Sequence, residues 1–225
     1  MEELIATHID KYKDNLESLG FKVSTGSVVP FRAKQFLDNG LTEFDGSVPL
    51  IWMQNIADGS VSWPIDIANK SIKIKVTNES KKILIQNKNY IFLKRLSSKG
   101  GKRHMNSAVY FKNYLDFEFI GVENHVNYIR KKKGELTENE SHGIVALLNS
   151  IIYNKYFQIG NGTTQVNARE ISDIPLPPIN LVKKLGDSII ELKQRVGKIE
   201  NSTQEKMIAM VLNIDEQILK DLGSS

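Results

Sequence analysis

The 225-residue sequence contains no cysteine. It can therefore form neither a disulfide frame nor a thiolate metal site. Its four histidines, His8, His104, His125 and His142, lie far apart and show no metal-ligand spacing. No stretch reaches the roughly 18 uninterrupted apolar residues of a membrane span. The N-terminal run MEELIATHIDKYKDNL mixes acidic and basic residues in a helical pattern, unlike a signal peptide. Catalytic signatures are equally scarce. No GxGxxG or GxxxxGKS/T loop follows a strand, and neither a GxSxG elbow nor an HExxH pair occurs. The acid pairs Glu118/Glu123 and Glu138/Glu140 fall in a strand-turn region and at a helix start, where solvation and capping account for them. These absences predict a cytoplasmic protein with no metal and no nucleotide cradle of its own.

What is present is ordinary in amount and unusual in placement. Apolar residues make up 40% and charged residues 25%, the balance of a globular chain long enough for one domain with an appendage. The net charge of +4 leans only slightly towards a polyanionic partner. Its clustering says more. Between Tyr90 and Tyr110 the chain reads YIFLKRLSSKGGKRHMNSAVY, where Lys94, Arg95, Lys99, Lys102 and Arg103 stand without an acidic residue among them. Ser97, Ser98, Gly100 and Gly101 sit between the charges. A basic, hydroxyl-rich turn between two strands is a compact way to offer donors to a phosphate backbone. A solvated, lysine-rich hairpin tip is the competing reading.

Glu2 to Leu19 has a helical apolar period stopped by Gly20. Phe21 to Val29 reads as a strand pair or a bulged strand around Gly26. Further strands are predicted over Val48–Met53, Ile72–Val76, Tyr90–Leu96, Ala108–Phe111 and Phe117–Val122. Near Glu135 the pattern turns helical. Thr137 with Glu140 three residues on forms a capping box, and Ile144, Leu147, Leu148, Ile151 and Ile152 share one apolar face. A short helical turn over Ala168–Ser172 is predicted before Pro175, Pro177 and Pro178. Beyond them Leu185, Ile189, Leu192, Val196 and Ile199 follow a coiled-coil step, and Ile208, Val211, Ile214, Ile218 and Leu222 do so after an Asn201–Ser202–Thr203 turn. Two such helices make an antiparallel hairpin that docks on a neighbour or on itself. The expected division is 1–178 for the main domain and 179–225 for the hairpin.

A second basic run, Arg130 to Lys133, follows ENHVNYI, in which Asn124, His125, Asn127 and Tyr128 suit base-edge or phosphate contacts. Local turn capping is the alternative for Asn124 and His125. Arg32 is either an ion-pair partner or a backbone clamp. Trp52 and Trp63 read as core residues.

Four blocks, STGSVVPFR, LKRLSSKGGKRHMNSAVY, ENHVNYI and ALLNSIIYNKYFQIGNGTTQVNAREISDIPLP, occur in this order from about residue 20 to 178. Together they resemble the C-terminal target-recognition region of adenine-specific DNA methyltransferases from bacterial restriction–modification systems. The last block, followed by a long helix, is also similar to half of a type I specificity subunit. The resemblance implies that Arg32, Lys94, Arg95, Ser97, Ser98, Lys99 and Arg103 contact the DNA backbone or groove. Asn124, His125, Asn127 and Tyr128 would lie near them, and residues 160–167 would form a structural joint. Lys102 and Arg130 join this set through their basic clusters. The family's cofactor-binding glycine motif and its Asn/Asp-Pro-Pro-Tyr/Phe motif are missing; the one Pro-Pro pair, Pro177-Pro178, follows Leu176 and lacks an aromatic.

The expectation is therefore an α+β, β-rich DNA target-recognition domain with an N-terminal helix and a C-terminal helical hairpin. It would bind double-stranded DNA beside a methyltransferase catalytic domain. S-adenosylmethionine would belong to that domain, and no cofactor to this chain. Self-association through the C-terminal helices is a further expected contact, and no membrane partner is expected. Two rivals remain: a restriction endonuclease with a metal site among Asp66, Glu118 and Glu123, and a protein-interaction module using the helical hairpin.

Overall fold

The computed structural model describes residues 2–38, 46–96, 104–160 and 165–215. Helix α1 (Glu2–Asp10) opens the chain, followed by strands β1 (Phe21–Thr25), β2 (Leu37–Asp38), β3 (Ser47–Ile51), β4 (Ile56–Ala57), β5 (Gly59–Val61) and β6 (Lys73–Lys75). Strands β7 (Leu84–Gln86), β8 (Tyr90–Lys94), β9 (Ser107–Tyr110), β10 (Phe119–Val122) and β11 (Val126–Lys131) complete the β-rich part. Helices α2 (Glu138–Asn149), α3 (Ile151–Gly160), α4 (Ala168–Asp173), α5 (Ile179–Val196) and α6 (Asn201–Leu212) follow. The fold is α+β. One sheet runs β1-β11-β8-β9-β5-β4 and the other β2-β6-β3-β10-β7.

Strand alternation sorts the core into layers. In β8 and β11, Tyr90, Phe92, Val126 and Tyr128 face the second sheet and pack with Ile51, Ile120 and Val122. Ile91, Leu93 and Ile129 face the other way and pack beneath the helices. The six-stranded sheet is thus sandwiched between a helical layer and the smaller sheet. Trp52 is buried, as expected of a core aromatic, with its Nε1 donating to the Ser71 carbonyl at 2.7 Å.

Several expected elements change. The predicted helix to Leu19 stops at Asp10. Asn15 and Ser18 exchange side-chain and backbone hydrogen bonds of 2.9 Å, an alternative to the helical ladder, and Leu16 drops into the core. The apolar face after Thr137 is two helices. Ser150 breaks them, its hydroxyl donating to the Leu147 carbonyl at 2.7 Å and accepting from the Tyr153 N–H at 3.2 Å. Asn201 to Thr203 open α6 instead of forming the turn, which lies over 197–200.

The seam of α5 holds at Leu185 and Ile189 and fails at Val196. Val182, Leu185, Gly186 and Ile189 are buried, whereas Val196 is 57% exposed. Here α5 docks on α2, with Gly143 against the Val182 carbonyl and Gly186 against the Asn139 carbonyl, approaches too close for any Cβ. Glu140 locks the crossing by accepting from Lys131 at 2.7 Å and pairing with Lys183 at 3.2 Å, while completing the predicted capping box with Thr137. Residues of α5 and α6 share one apolar cluster with α1 to α4. Ile218 and Leu222 lie outside the described residues. Among the described residues no helix is long and apolar enough to cross a membrane.

Candidate nucleic-acid interface

All four sequence blocks meet at one end of the six-stranded sheet, the last through Gln165 and Val166. The ends of β1 and β8 and the start of β11 lie side by side there, with Thr25 opposite Asn127 and Lys94 opposite Val126. Beyond β1 the chain crosses onto the turn between β10 and β11. The Gly26 N–H donates to the Val126 carbonyl at 2.8 Å and the Val28 N–H to the Val122 carbonyl at 3.0 Å; the Val28 carbonyl accepts from Asn124 at 3.0 Å. Gly26 presses on the backbone of Val122 and Glu123, leaving no room for a Cβ. The STGSVVPFR and ENHVNYI blocks are therefore two halves of one joint, a pairing that spacing alone does not disclose.

That joint carries the cations. Arg32 is exposed, and Lys94 and Arg95 are half-buried; among the described residues none of the three pairs with a carboxylate. Arg95 is fixed from several sides. Its N–H donates to the His125 carbonyl at 2.9 Å and its Nη1 to the Asn124 carbonyl at 3.3 Å. With the Gln165 amide oriented as its neighbours require, its oxygen accepts from Arg95 Nε at 3.0 Å and Nη2 at 2.6 Å. Three of the five guanidinium N–H groups are thereby engaged among the described residues.

The acid at this end is turned inward. Glu123 is 1% exposed, with one carboxylate oxygen accepting the His125 N–H at 3.0 Å and the other contacting His125 Nδ1 at 2.5 Å. Because a carboxylate only accepts, Nδ1 carries the proton, and Nε2 is the imidazole's remaining polar atom. The imidazole is half-exposed.

The basic turn is framed by paired strands. Tyr90 to Leu93 pair antiparallel with Tyr110 to Ser107, as the hairpin reading requires. Ser97, Ser98, Lys99, Lys102 and Arg103 lie outside the described residues. Sequence reading missed the residues that clamp the returning strand. Asn149 Oδ1 accepts the Ser107 N–H at 2.7 Å while its Nδ2 donates to the Ser107 carbonyl at 2.8 Å. Asn154 Oδ1 accepts the Met105 N–H at 2.7 Å. Two asparagines on apolar helices were the available signal, since a buried amide requires partners.

Other candidates lie apart from this surface or inside the protein. Asn127 is fully buried, its Oδ1 accepting from Thr25 Oγ1 at 2.8 Å and its Nδ2 donating to the Val166 carbonyl at 2.7 Å. It holds the joint and presents no edge to DNA. Tyr128 is buried between the sheets, edge-on to Tyr90 with ring centroids 5.5 Å apart. Arg130 lies four residues along β11 from Val126, about 13 Å from that end. It lines a separate open cleft of about 380 Å³ with Lys88, Tyr90 and Tyr128. Burial, and then the neighbouring Tyr128, push the Tyr90 hydroxyl up to about 12, and it donates to the Gln86 carbonyl at 2.7 Å. Asp66, Glu118 and Glu123 form no metal-holding group; among the described residues no three His, Asp or Glu side chains gather to hold a metal.

No family model matches the chain. It is homologous to two type II methyltransferases: M.BsuBI of Bacillus subtilis, 32% identical over 97% of this chain, and M.PstI of Providencia stuartii, 30% identical over 89%. The chain spans 42% and 38% of these relatives' lengths, about two fifths of each. The type IIG restriction endonuclease BpuSI shares the fold over 95% of this chain and 28% of its own, with a TM-score of 0.53 at 11% identity.

Proposed function

We propose that this chain is the target-recognition part of an adenine-N6 DNA methyltransferase of a restriction–modification system. The observation that carries this reading is the near-complete match to two type II methyltransferases that are each more than twice as long. The geometry adds a physical role. Arg32, Lys94 and Arg95 stand at one sheet end with the local carboxylate turned inward, which suits a polyanion. The half-exposed His125 imidazole and the partly engaged Arg95 guanidinium beside them suit groove contacts. The basic segment from Ser97 to Arg103 begins two residues after Arg95 in the sequence and belongs to the same reading.

In this proposal the chain steers onto duplex DNA and sets the site. Extrusion of the adenine and methyl transfer from S-adenosylmethionine belong to a catalytic part with which it works. Fluorescence anisotropy with a mixed-sequence duplex tests the binding role. Affinity should fall by about tenfold or more between about 50 and 200 mM salt, because phosphate contacts release counterions. A flat salt response would sink it. Adding the chain to a matching catalytic part should restore N6-methyladenine at a defined site; methylation that needs only the catalytic part would count against it.

A further inference from the structure

Phe31 is 91% exposed, more than any other large apolar side chain among the described residues. It does not sit on a loose segment. The N–H groups of Arg32 and Ala33 both donate to the Val29 carbonyl at 2.9 Å, and Pro30 restricts the backbone before it. Val28, fully buried and bonded on both sides to the β10–β11 turn, anchors one end of this turn. Ala33, 2% exposed, anchors the other. Folding thus holds an aromatic ring out in water where a bend of small residues would do.

The surroundings select its partner. Arg32 is the next residue and is exposed. The Val28–Asn124 hydrogen bond joins this turn to the segment whose carbonyls hold Arg95. Cations beside a projecting ring would be desolvated without compensation against an apolar protein groove. Against a nucleic acid both are met: phosphates take the cations, and base faces take the ring. We propose that Phe31 is a wedge that enters the base stack of the bound duplex and opens one step, with Arg32 on the adjoining phosphates. This assignment rests on the DNA-recognition reading.

Closed circular plasmid, relaxed by a topoisomerase in the presence of the 225-residue chain, provides the test, alongside anisotropy with a fragment of the same plasmid. The wild-type chain should shift the topoisomer distribution, because an inserted ring unwinds the step it opens. Phe31→Ala, which truncates an almost wholly exposed side chain, should keep its thermal midpoint, bind about tenfold more weakly and lose the topological shift. Phe31→Trp should retain both. A Phe31→Ala chain that matches wild type in affinity and in topoisomers overturns the wedge while leaving DNA recognition intact. A wild-type chain that binds no DNA at low salt overturns the recognition reading and the wedge with it. If Phe31→Ala leaves DNA unaffected and instead abolishes association with a catalytic part, the ring is a protein contact and the proposal is wrong.

Discussion

Arg32 and Arg95 carry the same charge into the same region and are used differently. Among the described residues the Arg32 side chain makes no hydrogen bond or ion pair, so Arg32→Ala should leave the urea midpoint unchanged. The same substitution should weaken duplex binding about threefold to tenfold for all sequences and lower the salt slope by about one. Arg95 is also a strut between the Asn124 carbonyl and Gln165, so Arg95→Ala should cost stability as well as affinity. Asn127 is the opposite case. Removing its amide in Asn127→Ala strands the buried Val166 carbonyl and should cost about 2–3 kcal/mol in urea unfolding. The salt slope of the folded protein should not change. A lowered slope with normal stability would return Asn127 to the DNA surface. Sequence could nominate these residues by type, since arginine and asparagine suit phosphates and bases. It could not separate Asn124 from Asn127, because which of them faces the interior is set by the register of β11 against β1 and β8.

At the level of elements, what was legible was whatever local pattern controls. The runs predicted as strands from their residue types became β3, β8, β9 and β10, and the Thr137–Glu140 box became the start of α2. What local pattern does not control was misplaced. The apolar period of α1 runs on past Asp10, but the helix does not, and side-chain turns at Asn15 and Ser18 take its place. The heptad step in α5 runs to Val196, yet burial follows two glycines that let α2 and α5 touch backbone to backbone. Such contacts have no signature within a single helix. They make a sharp prediction: Gly143→Ala or Gly186→Ala should lower stability by about 2–4 kcal/mol, since a methyl there meets a carbonyl rather than a flexible side chain. Gly26→Ala should cost a similar amount through the Glu123 backbone and also weaken DNA binding, because it displaces the turn that carries Arg32. Urea midpoints and anisotropy on the same samples separate the two effects. If Gly26→Ala binds normally, the joint does not position the cations.

Across the whole molecule, α2 connects the helical layer to the basic hairpin. Its last residue, Asn149, grips Ser107 on the returning strand, while His142, two turns earlier, lies in a cleft of about 410 Å³ with Lys193 of α5. Burial, reinforced by Lys193, pushes the His142 imidazole down from 6.5 to about 4. An unfolded chain therefore takes up a proton below about pH 6.5 that the folded chain refuses until the pH nears 4. Because the unfolded state binds more protons in that window, stability rises with pH across it. Glu140 acts in the same direction at the lower edge. Burial raises its pKa, but hydrogen bonds from Lys131, the Thr137 N–H and Lys183 outweigh that and hold it below 4.5. Its contribution is present above the ordinary carboxylate value and is lost as the pH falls through the lower folded one. Urea unfolding should thus lose about 2 kcal/mol between pH 7 and pH 5, most of it through His142. His142→Gln should flatten that limb while leaving the loss below pH 4.5 in place, and Glu140→Gln should do the reverse from a lower starting stability. If His142→Gln follows the wild-type curve between pH 7 and pH 5, the imidazole is not held neutral by burial, and the acid response lies elsewhere than the α2–α5 crossing.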